Sequence, residues 1–443
     1  YPYIMFFSSK STPKKVLNAW AFYDWANSVY PLVISTAVFP IYYGTLFVDS
    51  DYIEIFGFDY KNTALIQHVT SLVFLLLAFL VPLMSGIADF LGNKKSFMKL
   101  FVYLGSFSCM GLYFFDLENI HLGLSFYFLA LFSFWASLVF YNSYLPDIAS
   151  TSEQDNTSAL GYSYGYVGSV FLLLVNLLMI NFPASFGFED SDQGSVEAMK
   201  VSFLTVGFWW ILFSQYTFYY LPSLKNKVNK KELFKKSIFF SGFNKLITVW
   251  KLMKNEKSIK KFLIALFTYY TAVQTIILIA TYFGDQEIIW GEGEKLFGLI
   301  LSMLIIQLIA IAGSAGGAFL SNRIGNIKTL IIFNIIWFLI CIGAYFIKYS
   351  FEFYIVAGLV GLVMGGIQSL SRSTYSKLIP DTEDTCSYFS FYQMCMIISI
   401  IFGTFMSGVI DQLTGSIRSS IFVFAGLFIL GAYLLRGVKM KQE

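Results

Sequence analysis

The sequence predicts an all-helical integral membrane protein: twelve transmembrane helices in two pseudo-symmetric six-helix bundles. Composition is the first observation. Of 443 residues, 57% are hydrophobic and only 13% charged, where a soluble chain would carry about a quarter charged residues. Mean hydropathy is +0.66. The second is a series of apolar runs, each near the roughly 20 residues that a bilayer-crossing helix needs. The third is a pair of short signals that recur in the second half of the chain at almost one offset.

The runs fall near 17–47, 63–88, 97–115, 122–146, 159–182, 200–222, 259–283, 296–320, 328–347, 352–378, 386–410 and 417–436. The first and tenth are long enough to tilt or to project beyond the hydrocarbon. Lysine and arginine set the orientation, because positive residues stay on the cytoplasmic side. Lys10, Lys14 and Lys15 precede the first run, Lys94, Lys95 and Lys99 follow the second, and Arg323 and Lys328 follow the eighth. Arg436, Lys439 and Lys441 close the last. Alternate loops are acidic, with Glu189, Asp190 and Asp192 in one and Asp285, Glu287, Glu292 and Glu294 in another. Both termini are therefore expected in the cytoplasm, in a bacterial inner membrane or its equivalent. Glu153 and Asp155 run against the pattern, lying after the fourth run on the side read as cytoplasmic. The polar, basic stretch Ser8–Lys15 leads straight into the first run and does not read as a cleavable leader.

Between the sixth and seventh runs lies the longest polar stretch, 223–261, with many lysines from Lys225 to Lys261 against Glu232 and Glu256. It divides the chain into bundle 1–222, basic linker 223–257 and bundle 258–443. Its segment "LFKKSIFFSGFNKLITVWKLMK" is amphipathic and basic, suited to an anionic leaflet surface or to tethering the halves. Across this linker, "SGIADFLGNKK" ends the second run and "GAFLSNRIGNIK" the eighth, so Gly92 and Gly325 lie 233 positions apart. Pro146 of "YLPDI" and Pro380 of "LIPDT" lie 234 apart. A shared offset is expected of parallel repeats with a binding site between them at the bilayer midplane. In the first copy, Gly92 suits a tight turn. Asp89 can hold a neighbouring helix N-terminus or a base, as a latch on the cytoplasmic side or as a plain loop anchor.

Those residues carry a resemblance. Gly86, Ala88, Asp89, Gly92, Lys94 and Lys95 resemble the loop 2–3 signature of the major facilitator superfamily, and Arg323, Gly325 and Lys328 are similar to its second-half copy. Phe90 and Asn93 stand where a basic residue is usual. "YDWANSVY" (23–30) and "GGIQSLSRSTYSKLIPDTED" (365–384) are similar to the branch that includes the autophagy-related vacuolar amino-acid effluxers. The resemblance covers essentially the whole chain. It implies alternating access between two bundles, a cavity lined by the first, fourth, seventh and tenth helices, a cytoplasmic gate at the loop signatures, and amino-acid efflux. On those helices the polar candidates include Asn142 and Tyr144, Tyr270 and Gln274, and Gln368.

The first run places an ionisable residue where an unpaired charge is costly. Asp24, Asn27, Ser28, Pro31 and Ser35 follow helical spacing as one polar stripe, flanked by Tyr23 and Tyr30, while Trp25, Val29, Leu32, Val33 and Phe39 occupy the other faces. Seven residues separate Asp24 from Leu17, about 10 Å of helix. Three roles are open to Asp24: carrying a coupling proton, gating by pairing with Arg372 or a cytoplasmic lysine, or pinning a neighbouring helix. Arg372 is the other notable charge. It can snorkel to the interface, or share a face with Gln368 and take a substrate carboxylate through its planar fork.

These features favour a secondary transporter of a small organic solute. A coupling proton, or sodium, an amino-acid substrate and monomeric action are expected, and lipid or drug efflux on the same fold is the alternative. No GxxxxGK[ST] stretch supplies an ATP site. His68 and His121 are too far apart for a metal or catalytic cluster. Cys109, Cys341, Cys386 and Cys395 are scattered without metal spacing. A membrane-embedded enzyme, a non-transporting sensor, a cofactor or a nucleic-acid partner is therefore not expected.

Overall fold

Every long apolar run but the first becomes a long helix in the computed structural model of this chain, which describes residues 13–48, 52–55, 57–223, 236–414, 416 and 418–440. Lys10, the linker lysines from Lys225 to Lys235 and Lys441 lie outside the described residues. A backbone in hydrocarbon must satisfy its own hydrogen bonds, and a helix does so within one segment. Among the described residues, eleven helices are long and apolar enough to cross a membrane. They are α3 (Asn62–Leu91), α4 (Lys94–Gly111), α5 (Ile120–Asn142) with the short α6 (Leu145–Ile148), α7 (Gln154–Asn181) and α8 (Asp192–Tyr220). After the linker come α10 (Lys257–Glu287), α11 (Lys295–Ile324), α12 (Asn326–Phe346), α13 (Ser350–Leu378), α14 (Thr385–Thr414) and α15 (Arg418–Leu435).

The first run differs from expectation. It is α1 (Lys14–Asn27), a π-helical stretch Tyr30–Val38, and α2 (Phe39–Thr45), rather than one α-helix. Pro31 explains the break. It lacks an N–H and its ring crowds the preceding turn, so the ladder widens. Thr36 Oγ1 donates to the Pro31 carbonyl at 2.8 Å, five residues back. The stretch before α3 contains an antiparallel hairpin, β1 (Tyr52–Ile55) paired with β2 (Phe58–Lys61).

The two loop signatures fold as turns. Gly92 (φ 68°) and Gly325 (φ 90°) both take positive φ, which suits glycine. Asn93, where the family signature usually has a base, caps α4 by accepting from Ser96 N at 3.3 Å.

By proximity the chain divides into two compact units. One comprises residues 18–141 and 164–242; the other comprises 142–163 and 243–443 with the chain up to Leu17. The linker helix α9 (Lys236–Asn255) runs through the boundary. In the first unit Gly242 packs on Gly86 so closely that a Cβ on Gly86 would meet the Gly242 carbonyl. In the second, Lys245 bridges Asp384 at 2.8 Å and Trp250 lies 5.3 Å from Phe391. Gly242, Val249 and Met253 form its buried stripe, and Phe240, Phe243 and Leu252 are exposed.

Candidate functional site

Asp24 is buried in the first unit, and its neighbours come from the C-terminal turns of α5. Asp24 Oδ2 accepts from the Tyr141 hydroxyl at 2.9 Å. Trp20 stacks on Tyr141 with ring centroids 4.5 Å apart and donates its indole N–H to the Tyr141 carbonyl at 2.9 Å. One turn earlier on α5, Ser137 accepts from the Tyr23 hydroxyl at 2.9 Å and donates to the Phe134 carbonyl at 2.8 Å. The local reason is periodicity. Ser133, Ser137 and Tyr141 recur every four residues along α5, and the last two meet Tyr23 and Asp24 of the first run. Trp209 Nε1 donates to the Trp25 carbonyl at 3.0 Å, and Thr217 Oγ1 to the Ala19 carbonyl at 2.7 Å. The faces of the first run that carry Val29, Leu32, Val33 and Phe39 are also buried.

Polar demand in this unit exceeds supply. Ser106 Oγ, Ser133 Oγ and Ser214 Oγ are buried without a hydrogen-bond partner within the protein, whereas the Asn27 and Trp210 side chains lie in hydrogen-bonding reach of the Tyr23 hydroxyl and Ser35 in that of Tyr30. Each such group costs about 1–3 kcal/mol when left unpaired. Such groups occur in the second unit as well, among them Trp337 Nε1, Tyr392 Oη and both amide atoms of Gln393.

Arg372, in the second unit, does not snorkel. It is 2% exposed. Its Nε donates to Ser158 Oγ at 2.9 Å, its Nη2 to the Ser158 carbonyl at 2.8 Å, and its Nη1 to Asn142 Oδ1 at 3.5 Å, while the guanidinium lies 4.3 Å from the Tyr162 ring centroid. Ser158 in turn donates to the Ser369 carbonyl at 2.7 Å. The fork thus clamps the first turns of α7. Of the other candidates, Tyr270 is buried and Gln274 and Gln368 are half-buried.

Asp155 was a discordant loop charge in the sequence and proves to be buried and held by three side-chain donors. It sits in the first turn of α7, where the helix dipole favours an anion. Lys377 Nζ reaches its Oδ2 at 2.8 Å and Ser321 Oγ donates to the same oxygen at 2.9 Å. Asn326 Nδ2 donates to Oδ1 at 2.8 Å, and Lys377 also donates to Asn326 Oδ1 at 3.1 Å. Asn326 belongs to the second-half copy of the loop signature, so that copy works through Asn326. Arg323, the base expected there, is exposed and lies over the Phe319 ring at 4.2 Å. In the first copy Asp89 and Lys94 are both buried, and Lys95 Nζ donates to the Leu221 carbonyl at 2.6 Å. Among the described residues no group of histidine, cysteine or acidic side chains could hold a metal ion.

The fold matches solved transporters along nearly its whole length. The outward-conformation structure of the major facilitator superfamily transporter FucP overlays with a TM-score of 0.69 at 15% identity, covering 97% of this chain and 99% of that one. The proton:xylose symporter XylE gives 0.68 at 11% identity, covering 95% of this chain and 94% of that one. The fold is therefore that of the major facilitator superfamily, a class of membrane transporters and not of enzymes. Within it, residues 12–443 match the family described as "Vacuole effluxer Atg22 like", and the chain belongs to that family. An uncharacterized MFS-type transporter, YxiO of Bacillus subtilis (strain 168), is 30% identical over 420 residues, covering 94% of this chain and 93% of that protein. Autophagy-related protein 22 of Saccharomyces cerevisiae (strain ATCC 204508 / S288c) is 23% identical, covering 85% and 78%.

Proposed function

We propose that this transporter exports a small organic solute by alternating access between halves 1–222 and 258–443, driven by a proton carried on Asp24. The observation that carries the reading is Asp24 itself, a buried carboxylate in a membrane run with a hydroxyl donor at 2.9 Å. Ionisable groups inside a membrane are expensive and mark ion pathways. The adjoining π-helical stretch is a frequent feature of functional sites. The family description supports efflux as the direction. Amino acids are the substrate class, on the resemblance given above. The Asp155 cluster is the cytoplasmic latch that holds 142–163 on α11, α12 and α13, and it breaks when the halves rock. Arg372 reinforces the same contact and becomes available to a substrate carboxylate once Ser158 moves away. The first run, α1 to α2, is the twelfth span. Both termini lie in the cytoplasm, with the exposed apolar residues and lysines of α9 resting on the anionic leaflet.

The test begins with a thermal-shift screen of the purified protein against amino acids, nucleosides, sugars and lysolipids. A hit is then followed in proteoliposomes. Asp24→Asn is expected to abolish accumulation driven by a proton gradient and to spare counterflow, which needs no net proton movement. Unimpaired accumulation in Asp24→Asn would sink the proton role. Topology has its own check: Glu292→Cys is expected to label from outside and Lys328→Cys from inside.

A further inference from the structure

In the second unit, the start of α10 and the end of α15 carry their cations side by side. Lys257, Lys261 and Ile264 follow helical spacing on one exposed face of α10, and Tyr433 and Arg436 are exposed at the end of α15. The two helices pack closely deeper in the unit, where a Cβ on Gly431 would lie 2.8 Å from Tyr269 Cβ. At their ends is an open cavity of about 410 Å³, lined by Lys261 and Ile264 on one side and by Tyr433, Leu434, Arg436 and Gly437 on the other. Ligand sites commonly measure roughly 300–1,000 Å³. A Cβ on Gly437 would lie 3.4 Å from both Cδ and Nζ of Lys261, so the lysine stem runs along the end of α15 and sets its ammonium beside the residue that follows Arg436.

The opposite ends of the same two helices are built differently. There Arg418 of α15 bridges Glu287 of α10 at 2.9 Å and donates to the Tyr345 and Ile347 carbonyls. Among the described residues, no ion pair or side-chain hydrogen bond holds Lys261 or Arg436. Glu256, the acid nearest in sequence to Lys261, lies within electrostatic reach of Tyr388 on α14. Two neighbouring cations without an acid repel each other, and an anion between them relieves the repulsion. The walls select the anion. A guanidinium fork takes phosphate bidentately, and an ammonium adds a point charge. Ile264, Leu434 and the Tyr433 ring offer apolar surface that a free anion does not use, and aromatics at the ends of spanning helices sit at headgroup level. We propose that Lys261 and Arg436 bind the phosphate of an anionic phospholipid, whose glycerol and first acyl carbons lie on Ile264, Tyr433 and Leu434. Basic pockets between spanning helices recognise headgroups in this way. On the topology proposed above the lipid belongs to the cytoplasmic leaflet. The site depends neither on that topology nor on the solute and its coupling.

Native mass spectrometry of the whole protein in a neutral detergent, titrated with dioleoylphosphatidylglycerol or dioleoylphosphatidylcholine, tests the site. The wild type is expected to retain phosphatidylglycerol in preference to phosphatidylcholine. Lys261→Gln with Arg436→Gln should weaken phosphatidylglycerol about tenfold, as loss of a charge-assisted hydrogen bond does, and leave phosphatidylcholine unchanged. Arg436→Lys, which keeps the charge and loses the fork, should fall between. The matched control is Arg323→Gln with Lys328→Gln, the same two residue types, both exposed at helix ends of the same unit. It should leave retention unchanged; if it weakens the lipid as much as the first pair does, general surface charge holds the lipid and the proposal fails. Excess inorganic phosphate should not displace the lipid, because it makes no use of the apolar wall. Displacement would make this a free-phosphate site and overturn the lipid assignment. Retention in Asp24→Asn should match the wild type, so loss of the proton role leaves the site standing. Equal retention of phosphatidylglycerol by the wild type and by Lys261→Gln with Arg436→Gln would overturn the site altogether.

Discussion

The Asp155 cluster and the surroundings of Asp24 are both buried, polar and centred on an acid, yet they are satisfied to opposite degrees. Asp155 has three side-chain donors at 2.8–2.9 Å on its two oxygens, one of them a lysine. The unit around Asp24 carries buried polar atoms that no protein group meets, among them the Ser106, Ser133 and Ser214 hydroxyls. A saturated network fixes a geometry, because every displacement breaks a charged hydrogen bond in a low-dielectric interior. An unsaturated one leaves room for something that enters and leaves. On the proposed function the difference separates a latch from a proton site, and the following substitutions either break that contrast or sharpen it.

The largest effect is expected at Asp155. Asp155→Asn keeps the shape but strands the Lys377 ammonium, whose side chain is only 8% exposed. Removing one partner of a buried pair costs about 3–5 kcal/mol. The purified variant should melt well below the wild type, and Asp155→Asn with Lys377→Met should recover most of the loss, as coupled residues do. Additive losses would show that Asp155 and Lys377 do not act as a pair.

How much of this was legible follows from the distances along the chain. The apolar runs were plain because a bilayer leaves a spanning segment little choice but the helix. The polar stripe of Asp24 and Asn27 was plain because helical periodicity is local. Tyr141 was not, since an aromatic in an apolar run is indistinguishable from packing until its hydroxyl has a partner. Asp155 stood unexplained for the same reason: its partners Ser321 and Lys377 lie 166 and 222 residues away. Pro31 announced a disturbance in the first run, but whether the ladder kinks, breaks or widens depends on neighbouring helices.

The next effect in size is steric. Gly86→Val places side-chain atoms where the Gly242 carbonyl lies, and Gly242→Val meets Ile87 in the same contact. Overpacking of this kind costs about 1–3 kcal/mol. Because α9 is the element displaced, limited proteolysis of the linker helix should accelerate in both variants. An unchanged cleavage rate would mean that α9 is held by its other contacts alone.

Arg372→Lys comes third. The planar fork makes two short bonds to Ser158, and an ammonium on a flexible stem keeps one at most. Loss of a charge-assisted hydrogen bond costs about 1.5–3 kcal/mol. Ser158→Ala should cost less, since it removes the Oγ contact and leaves the carbonyl bond. A thermal melt that ranks Ser158→Ala below Arg372→Lys would contradict the clamp.

The smallest effect is expected from an ion pair as short as the one at Asp155. Lys245 and Asp384 are 2.8 Å apart, but their side chains are 35% and 14% exposed. Water and salt reach this pair, so its Coulomb attraction is screened and its side-chain entropy cost is not offset. Such pairs contribute about 0–1 kcal/mol. Lys245→Ala should therefore shift the melting temperature little, and the shift should vanish in high salt, whereas that of Asp155→Asn should persist because the buried pair is screened much less. A large, salt-resistant loss in Lys245→Ala would place a second latch on α9. Trp250→Ala then separates charge from packing: the Trp250–Phe391 contact at 5.3 Å is apolar and indifferent to salt. If Trp250→Ala reproduces the loss and Lys245→Met does not, α9 is anchored by its ring. If only the lysine variants lose stability, distance rather than burial governs the two ion pairs, and the contrast between latch and surface pair fails.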